Sequence, residues 1–392
     1  MSDPWLTVIG LGEDGPASLS LACRAALDRA TVIVGGPRHL ALVAAGDKGK
    51  PWPIPFDLAQ VLECRGRPTV VLASGDPFWF GAGGSLMALL TAGEWTSHPA
   101  PSTFQLAANR LGWRLEETFC LGLHAAPFAR LRPVLGRDVR AICTVRDGAA
   151  VAELARWLAA NGHANARLTV LERLGGPQER LSEVSLTDVP QDISAPVAVA
   201  IAGRDPGLPR ASGLPDDVFA HDGQITKRAV RALTLSTLAP RAGEVLWDIG
   251  AGSGSIGIEW LLAGGAWVEA LEADPTRATR ARGNVEAFGL THRHRLHEAR
   301  APEGLAGLPV PDAVFIGGGA SADLMNRLWN LIPSGSRLVM NAVTIETEAL
   351  VLDWSSRYGG ELLKIDLSEP VAIGAKRGWR SALPILQWSV TR

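Results

Sequence analysis

Between Gly203 and Pro215 the chain reads Gly-Arg-Asp-Pro-Gly-Leu-Pro-Arg-Ala-Ser-Gly-Leu-Pro, with three prolines and three glycines in 13 residues. Proline fixes φ and lacks an amide hydrogen, and glycine weakens any regular element, so neither a helix nor a central strand can run through it. The stretch reads as a linker over residues 204–217, between a first domain at 1–203 and a second at 218–392. A length of 392 residues suits two domains of ordinary size, and 47% hydrophobic against 20% charged residues gives each an adequate core.

On either side of the break, apolar strand-like runs alternate with helical patterns, which predicts an α/β architecture with mostly parallel sheets. In the first half, strands are expected at residues 6–9, 31–34, 69–73, 141–145, 167–172 and 196–202, with a helix over 18–30. In the second half, a helix over 226–238 is expected to be capped by Thr226 and stopped before Pro240. Strands follow at 245–249, 267–272, 312–316, 337–341, 361–366 and 382–390. Helices at 255–263, 275–288, 322–331 and 346–356 separate most of them. No clear helix separates the last two strands, which allows an antiparallel pairing at that end.

The run Val245-Leu-Trp-Asp-Ile-Gly-Ala-Gly-Ser-Gly-Ser-Ile-Gly257 is a strand that ends in a glycine turn and opens a helix. Glycines let the backbone approach a ligand and tolerate positive φ, and the helix start offers unpaired amides. Glu272 ends the next strand, where a carboxylate can accept hydrogen bonds from both ribose hydroxyls of an adenosine cofactor. Gly252-Ser-Gly254-Ser-Ile-Gly257 also fits the dinucleotide fingerprint, so a nicotinamide cofactor stays open at this point. Asp248, two positions before the first glycine, favours S-adenosylmethionine, because methyltransferases place an acid there.

Four motifs in order carry a resemblance across residues 220–392. They are Thr226–Leu235, Trp247–Glu259, Pro311–Gly319 and Asn341–Glu346. Together they resemble the decarboxylating precorrin methyltransferase domain called CbiT, a Rossmann-like class I methyltransferase. The resemblance implies that Thr226, Gly250, Ala251, Gly252, Ser253, Gly254, Glu272 and the backbone at Ala301 bind S-adenosylmethionine. It departs at Ala299-Arg-Ala-Pro302, where that family often carries Gly-Asp, so Arg300 cannot supply an acid to the adenine.

The first half carries Val8-Ile-Gly-Leu-Gly-Glu-Asp-Gly15, Ser74-Gly-Asp-Pro-Phe78, Pro101–Gly112 and Leu121-Gly-Leu-His124. In this order they resemble the tetrapyrrole methylase family, in its CbiE branch, over residues 4–205. That implies two α/β subdomains, with S-adenosylmethionine held near Gly10, Gly12, Gly75, Asp76, Pro77 and Ser102. Ser102 reads equally well as a helix N-cap. His124 is either a base near the substrate or a loop histidine bonded to backbone.

The two resemblances in this order imply an enzyme of cobalamin synthesis that uses one S-adenosylmethionine per domain to methylate and decarboxylate a precorrin. Such a macrocycle is rimmed by carboxylates, so arginines and free amides should line its cleft. The catalytic candidates in the second domain are Arg231, Asn341 and Glu346, beside the Gly317-Gly318-Gly319 loop. Each has a structural alternative: a surface ion pair, a strand-end hydrogen bond, a helix N-terminal acid and a tight turn, in that order.

The net charge is −2 and no basic run stands out among the 38 Lys and Arg, so nucleic acid is not an expected partner. Cys23, Cys64, Cys120 and Cys143 match neither a zinc spacing nor a CxxC pair, and no metal is expected. Neither a leader segment nor an apolar run long enough to span a membrane is visible, so a cytoplasmic enzyme is expected. A homo-oligomer is what the resemblance implies.

Overall fold

The computed structural model describes residues 4–392; Met1–Asp3, part of the segment read for a leader, lie outside the described residues. The chain divides into two compact units, one of residues 1–128 and 134–207, the other of 129–133 and 208–392.

The first unit holds two five-stranded sheets. The strands of the first are β1 (Leu6–Leu11), β2 (Val32–Gly35), β3 (Gly49–Pro51), β4 (Thr69–Ser74) and β5 (Trp95–His98), in the order β3-β2-β4-β1-β5 and all parallel. Burial on both faces explains the continuous apolar runs in β1 and β4. The second sheet has β6 (Thr118–Gly122), β7 (Arg140–Val145), β8 (Arg167–Glu172), β9 (Arg180–Val184) and β10 (Val197–Ala202), in the order β6-β7-β10-β8-β9. Only β6 and β7 are parallel there; β10 runs antiparallel to both its neighbours. The helix expected over 18–30 is present but begins three residues later, after a 3-10 turn. A 3-10 turn spans Gly15–Ser18, and the helix itself spans Leu21–Arg29, capped by the Ser20 hydroxyl.

The second unit is built on a seven-stranded sheet. Its strands are β11 (Val245–Ile249), β12 (Trp267–Glu272), β13 (His294–Glu298), β14 (Ala313–Ile316), β15 (Arg337–Ala342), β16 (Glu361–Ile365) and, beyond the hairpin below, β19 (Ile385–Thr391). The order is β13-β12-β11-β14-β15-β19-β16, parallel as far as β15, with β19 antiparallel to both of its neighbours. A separate hairpin, β17 (Ser368–Ile373) with β18 (Lys376–Ser381), fills the connection between β16 and β19. One face of the sheet packs on the helices Ala322–Leu331 and Ile345–Tyr358 around Trp354 and Trp388. The other packs on the helices Arg228–Leu238, Ser255–Leu262 and Pro275–Ala287 around Trp260 and Phe288.

Two expectations need correction. Thr226 is not a helix cap: the helix begins at Arg228, and Lys227 stands at the cap position with no side-chain bond. The Thr226 carbonyl instead accepts from Arg231 Nη1 at 2.5 Å. The proline-rich stretch breaks regular structure as expected, yet it is not a free tether. Leu208, Leu214, Val218 and Phe219 pack into the core of the second unit.

Candidate active sites

In the second unit, the loops at the carboxyl ends of β11, β12 and β14 converge. Gly250, Gly252 and Gly254 all take positive φ (72°, 58° and 75°). A Cβ on Gly250 would stand 2.8 Å from both the amide nitrogen and the carbonyl oxygen of Gly318, so any larger residue would push the two loops apart. The Gly250 and Ala251 amides both donate to the Leu271 carbonyl, at 2.9 and 3.0 Å. Glu272 Oε2 accepts from the Gly252 amide at 2.8 Å and Oε1 from the Asp274 amide at 2.9 Å. A carboxylate held by one bond on each oxygen keeps lone pairs for two more donors. This fits the vicinal hydroxyls of a ribose.

Asp248 lies beneath the loop, fully buried. Its Oδ2 accepts from the Gly257 amide at 3.1 Å, and Oδ1 has no hydrogen-bond partner. Burial pushes its carboxyl up to about 7, against the opposing Gly257 bond and with a further push from Glu272. Ala301 is half-buried against the core, and Arg300 is exposed, its carbonyl accepting from the Gly304 amide at 2.8 Å.

Residues 213–226 lie beside the glycine loop, held by side chains from three helices. Asn284 donates to the Ser253 carbonyl at 2.8 Å and to the Ala220 carbonyl at 2.9 Å, while its oxygen accepts from the Ala220 amide at 2.8 Å. Gln224 brings its carbonyl 3.9 Å from where a Cβ on Gly252 would be. Sequence reasoning missed Asn284. The only signal was an asparagine in the last turn of the helix Pro275–Ala287, a residue whose competition with the backbone makes it a modest helix former.

Arg231 does not reach a cleft, which corrects the expectation of a substrate-binding arginine. Its side chain is 0% exposed. It donates to Glu259 Oε1 at 2.6 Å, to Asp216 Oδ1 at 3.1 Å and to the carbonyls of Leu214 and Thr226. Its guanidinium lies 4.9 Å over the Phe219 ring. Glu259 also accepts from the Gly213 and Leu214 amides. Arg231 and Glu259 together therefore fix the segment that runs into Thr226.

Asn341, at the end of β15, belongs to a polar network. Its amide donates to Thr234 Oγ1 at 2.9 Å, and its oxygen accepts from Gln387 at 2.9 Å. Glu346 is exposed in the first turn of the helix Ile345–Tyr358. Its own backbone amide, then the Thr344 hydroxyl, hold its carboxyl below the usual range. Gly317, Gly318 and Gly319 are exposed on the β14 loop.

In the first unit the end of β1 and the loop after β4 cross closely. A Cβ on Gly10 would stand 1.8 Å from the Gly75 carbonyl oxygen, and one on Gly75 (φ 56°) would stand 2.7 Å from Ser102 Cα. Only glycine permits this crossing. Asp76 accepts from the Phe78 amide at 2.8 Å, which sets the turn through the buried Pro77. Ser102 caps the helix Thr103–Leu111 through a reciprocal pair with Gln105, so its capping role is seen directly. Gly12 lies on the β1 loop, followed by Glu13, whose carboxylate pairs with Arg38. Arg38 also donates to His39 Nε2 at 2.9 Å, and Ser74 Oγ lies 3.0 Å from the same nitrogen. Burial, with Arg38 adding to it, pushes the His39 imidazole down to about 4. It is therefore a neutral acceptor bracing the β1 and β4 loops. His124 is exposed, with Nδ1 3.2 Å from Thr144 Oγ1.

Among the described residues no cluster of His, Cys, Asp and Glu could hold a metal, and no helix is long and apolar enough to cross a membrane.

Comparison with known proteins places these sites in context. Residues 6–190 match the family of tetrapyrrole (corrin/porphyrin) methylases, and residues 217–392 match the precorrin methyltransferase domain. The chain is 45% identical to a precorrin-6Y C(5,15)-methyltransferase [decarboxylating] of Sinorhizobium sp, over 99% of this chain and 97% of that protein. It is 38% identical to the protein of that name from Mycobacterium tuberculosis, over 99% of this chain and 100% of that one. A crystal structure of the C-terminal domain of the Rhodobacter capsulatus precorrin-6Y C5,15-methyltransferase is 49% identical. It covers 47% of this chain and 100% of its own, with a TM-score of 0.46. The chain, with a tetrapyrrole methylase domain followed by a precorrin methyltransferase domain, belongs to the family of decarboxylating precorrin-6Y C(5,15)-methyltransferases, which use S-adenosylmethionine.

Proposed function

We propose that this enzyme methylates precorrin-6B at carbons 5 and 15 and removes the carboxyl of the acetate on carbon 12, giving precorrin-8X. The first domain serves carbon 5; the second serves carbon 15 and the decarboxylation. The observation that carries this reading is similarity over both whole chains at 45% identity, joined to a glycine-lined strand-end site in each unit.

S-adenosylmethionine supplies, when bound, a methyl group already activated for transfer. What remains for the chain is to bind, orient and exclude water. In the second domain Gly250, Ala251, Gly252, Ser253 and Gly254 give the donor a close backbone, Glu272 holds its ribose, and Thr226 and the Ala301 backbone complete the wall. In the first domain Gly10, Gly12, Gly75, Asp76, Pro77 and Ser102 line the corresponding site. Glu346 and the exposed Gly317–Gly319 loop face the macrocycle and its carboxylates, and Asn341 sets the end of β15 beside them. The enzyme works in the cytoplasm as a homo-oligomer.

Mass spectrometry of the product from metal-free precorrin-6B tests the assignment. Two methyl groups gained with one carbon dioxide lost is the expected result. Turnover of only a cobalt-bound macrocycle would change the substrate, and no turnover of either would defeat the proposal.

A further inference from the structure

The turn that carries Gly75, Asp76 and Pro77 continues into Phe78-Trp79-Phe80, and these rings part company. Trp79 turns inward and stacks on Phe104, with centroids 5.4 Å apart and planes at 28°. Phe80 turns outward and is 54% exposed. It does so with φ at 56°, a left-handed conformation that a bulky side chain rarely takes. Gly81 and Gly83 fix the turn from the other side, since a Cβ on either would stand 2.5 or 2.6 Å from the Pro77 carbonyl oxygen.

The Phe80 ring is exposed without being loose. Its edge rests on Phe104, at 5.7 Å between centroids. It also lies against the end of β6. A Cβ on Gly122 would meet Phe80 Cγ at 3.1 Å and Cδ1 at 3.2 Å, and His124 Cε1 at 3.4 Å. Phe80 and His124 therefore converge on one glycine. With His124 Nδ1 engaged by Thr144, Nε2 is the nitrogen left to meet a ligand. Phe78, also half-exposed and tilted against Trp95 at 5.8 Å, extends the apolar surface.

We propose that Phe80 is the surface on which the flat macrocycle lies in the first domain, with His124 at its flank meeting a peripheral carboxylate. The proposal rests on reading this domain as a precorrin methylase. A strained backbone that presents an aromatic ring to solvent, one turn from the Gly75-Asp76-Pro77 loop, suits a ligand with a large π-face and an acidic rim. Phe80 sets the position and selectivity of the acceptor and moves no proton.

The test uses the full chain, with metal-free precorrin-6B as substrate and S-adenosylhomocysteine as the calorimetric probe of both cofactor sites. Phe80→Ala should raise KM for carbon 5 methylation by about tenfold, the equivalent of one lost aromatic contact. kcat should change much less, and carbon 15 methylation and both cofactor affinities should hold. Phe80→Tyr should restore KM. Gly122→Ala, which shifts the ring without removing it, should give a smaller rise and carries the test if Phe80→Ala does not fold. An active wild type with unchanged KM in both Phe80→Ala and Gly122→Ala overturns the proposal. So does loss of cofactor binding in parallel with KM. A wild type that methylates no precorrin refutes the proposed function instead.

Discussion

Replacing Arg231 with methionine should cost the second domain about 3–5 kcal/mol, the usual penalty for removing one partner of a buried ion pair. Glu259, 2% exposed, would keep its charge and the Gly213 and Leu214 amides but lose its counter-ion. The Leu214 and Thr226 carbonyls would each lose a donor. These losses share one side chain, so they do not add. Divided by a urea m-value of about 2 kcal/mol/M, the penalty lowers the midpoint of the second domain's unfolding by about 2 M. Urea titration with hydrogen exchange over residues 213–226 measures both the midpoint and the local loosening. Adding Glu259→Gln to the methionine variant should recover part of the loss, because glutamine leaves no buried charge while its one carbonyl oxygen still accepts from one of the two amides, which bond different oxygens of Glu259. Arg327→Met, which removes an exposed pair with Asp323, should cost less than about 1 kcal/mol. The reasoning is refuted if Arg231→Met behaves like Arg327→Met, or if the double variant is worse than Arg231→Met alone.

Glu272→Ala should weaken S-adenosylhomocysteine binding at the second site by at least about tenfold, through the lost ribose bonds and the freed Gly252 amide; calorimetry should count one strong site per chain instead of two. Asp248 titrates well above an unfolded aspartate, so between roughly pH 4 and 7 the folded state binds more protons than the unfolded one. Stability contributed by this group is therefore full at low pH and falls as pH rises through about 7. The difference in unfolding free energy between Asp248→Asn and wild type should accordingly grow in favour of the variant from pH 5 to 7.5. A flat difference across that range would contradict the raised carboxyl.

The sheet of the second domain was legible where strands are buried on both faces. Val245–Ile249 followed by glycines allows few other structures, and Ala322–Leu331 shows a clean helical stripe. β13 escaped notice because His294-Arg-Leu-His-Glu298 holds one aliphatic residue in five and pairs only along one edge, with β12. The β17–β18 hairpin was also hidden, since it lies outside the main sheet and is mostly exposed. The fate of Arg231 could not be read locally. Its carboxylate partners lie 15 and 28 positions away, and a helix-face arginine gives no sign that both fold back onto it. Phe80 gave no signal either, because a positive φ at phenylalanine contradicts every local preference.

The placement of β19 constrains how the second domain assembles. Among the described residues β16 pairs with β19 alone, so it leaves the ribosome before that partner strand exists. Until residues 385–391 are made, β15 presents an open backbone edge. An unpaired strand edge is open to pairing with another chain until β19 covers it, so the last residues of the sheet also close its most exposed ladder.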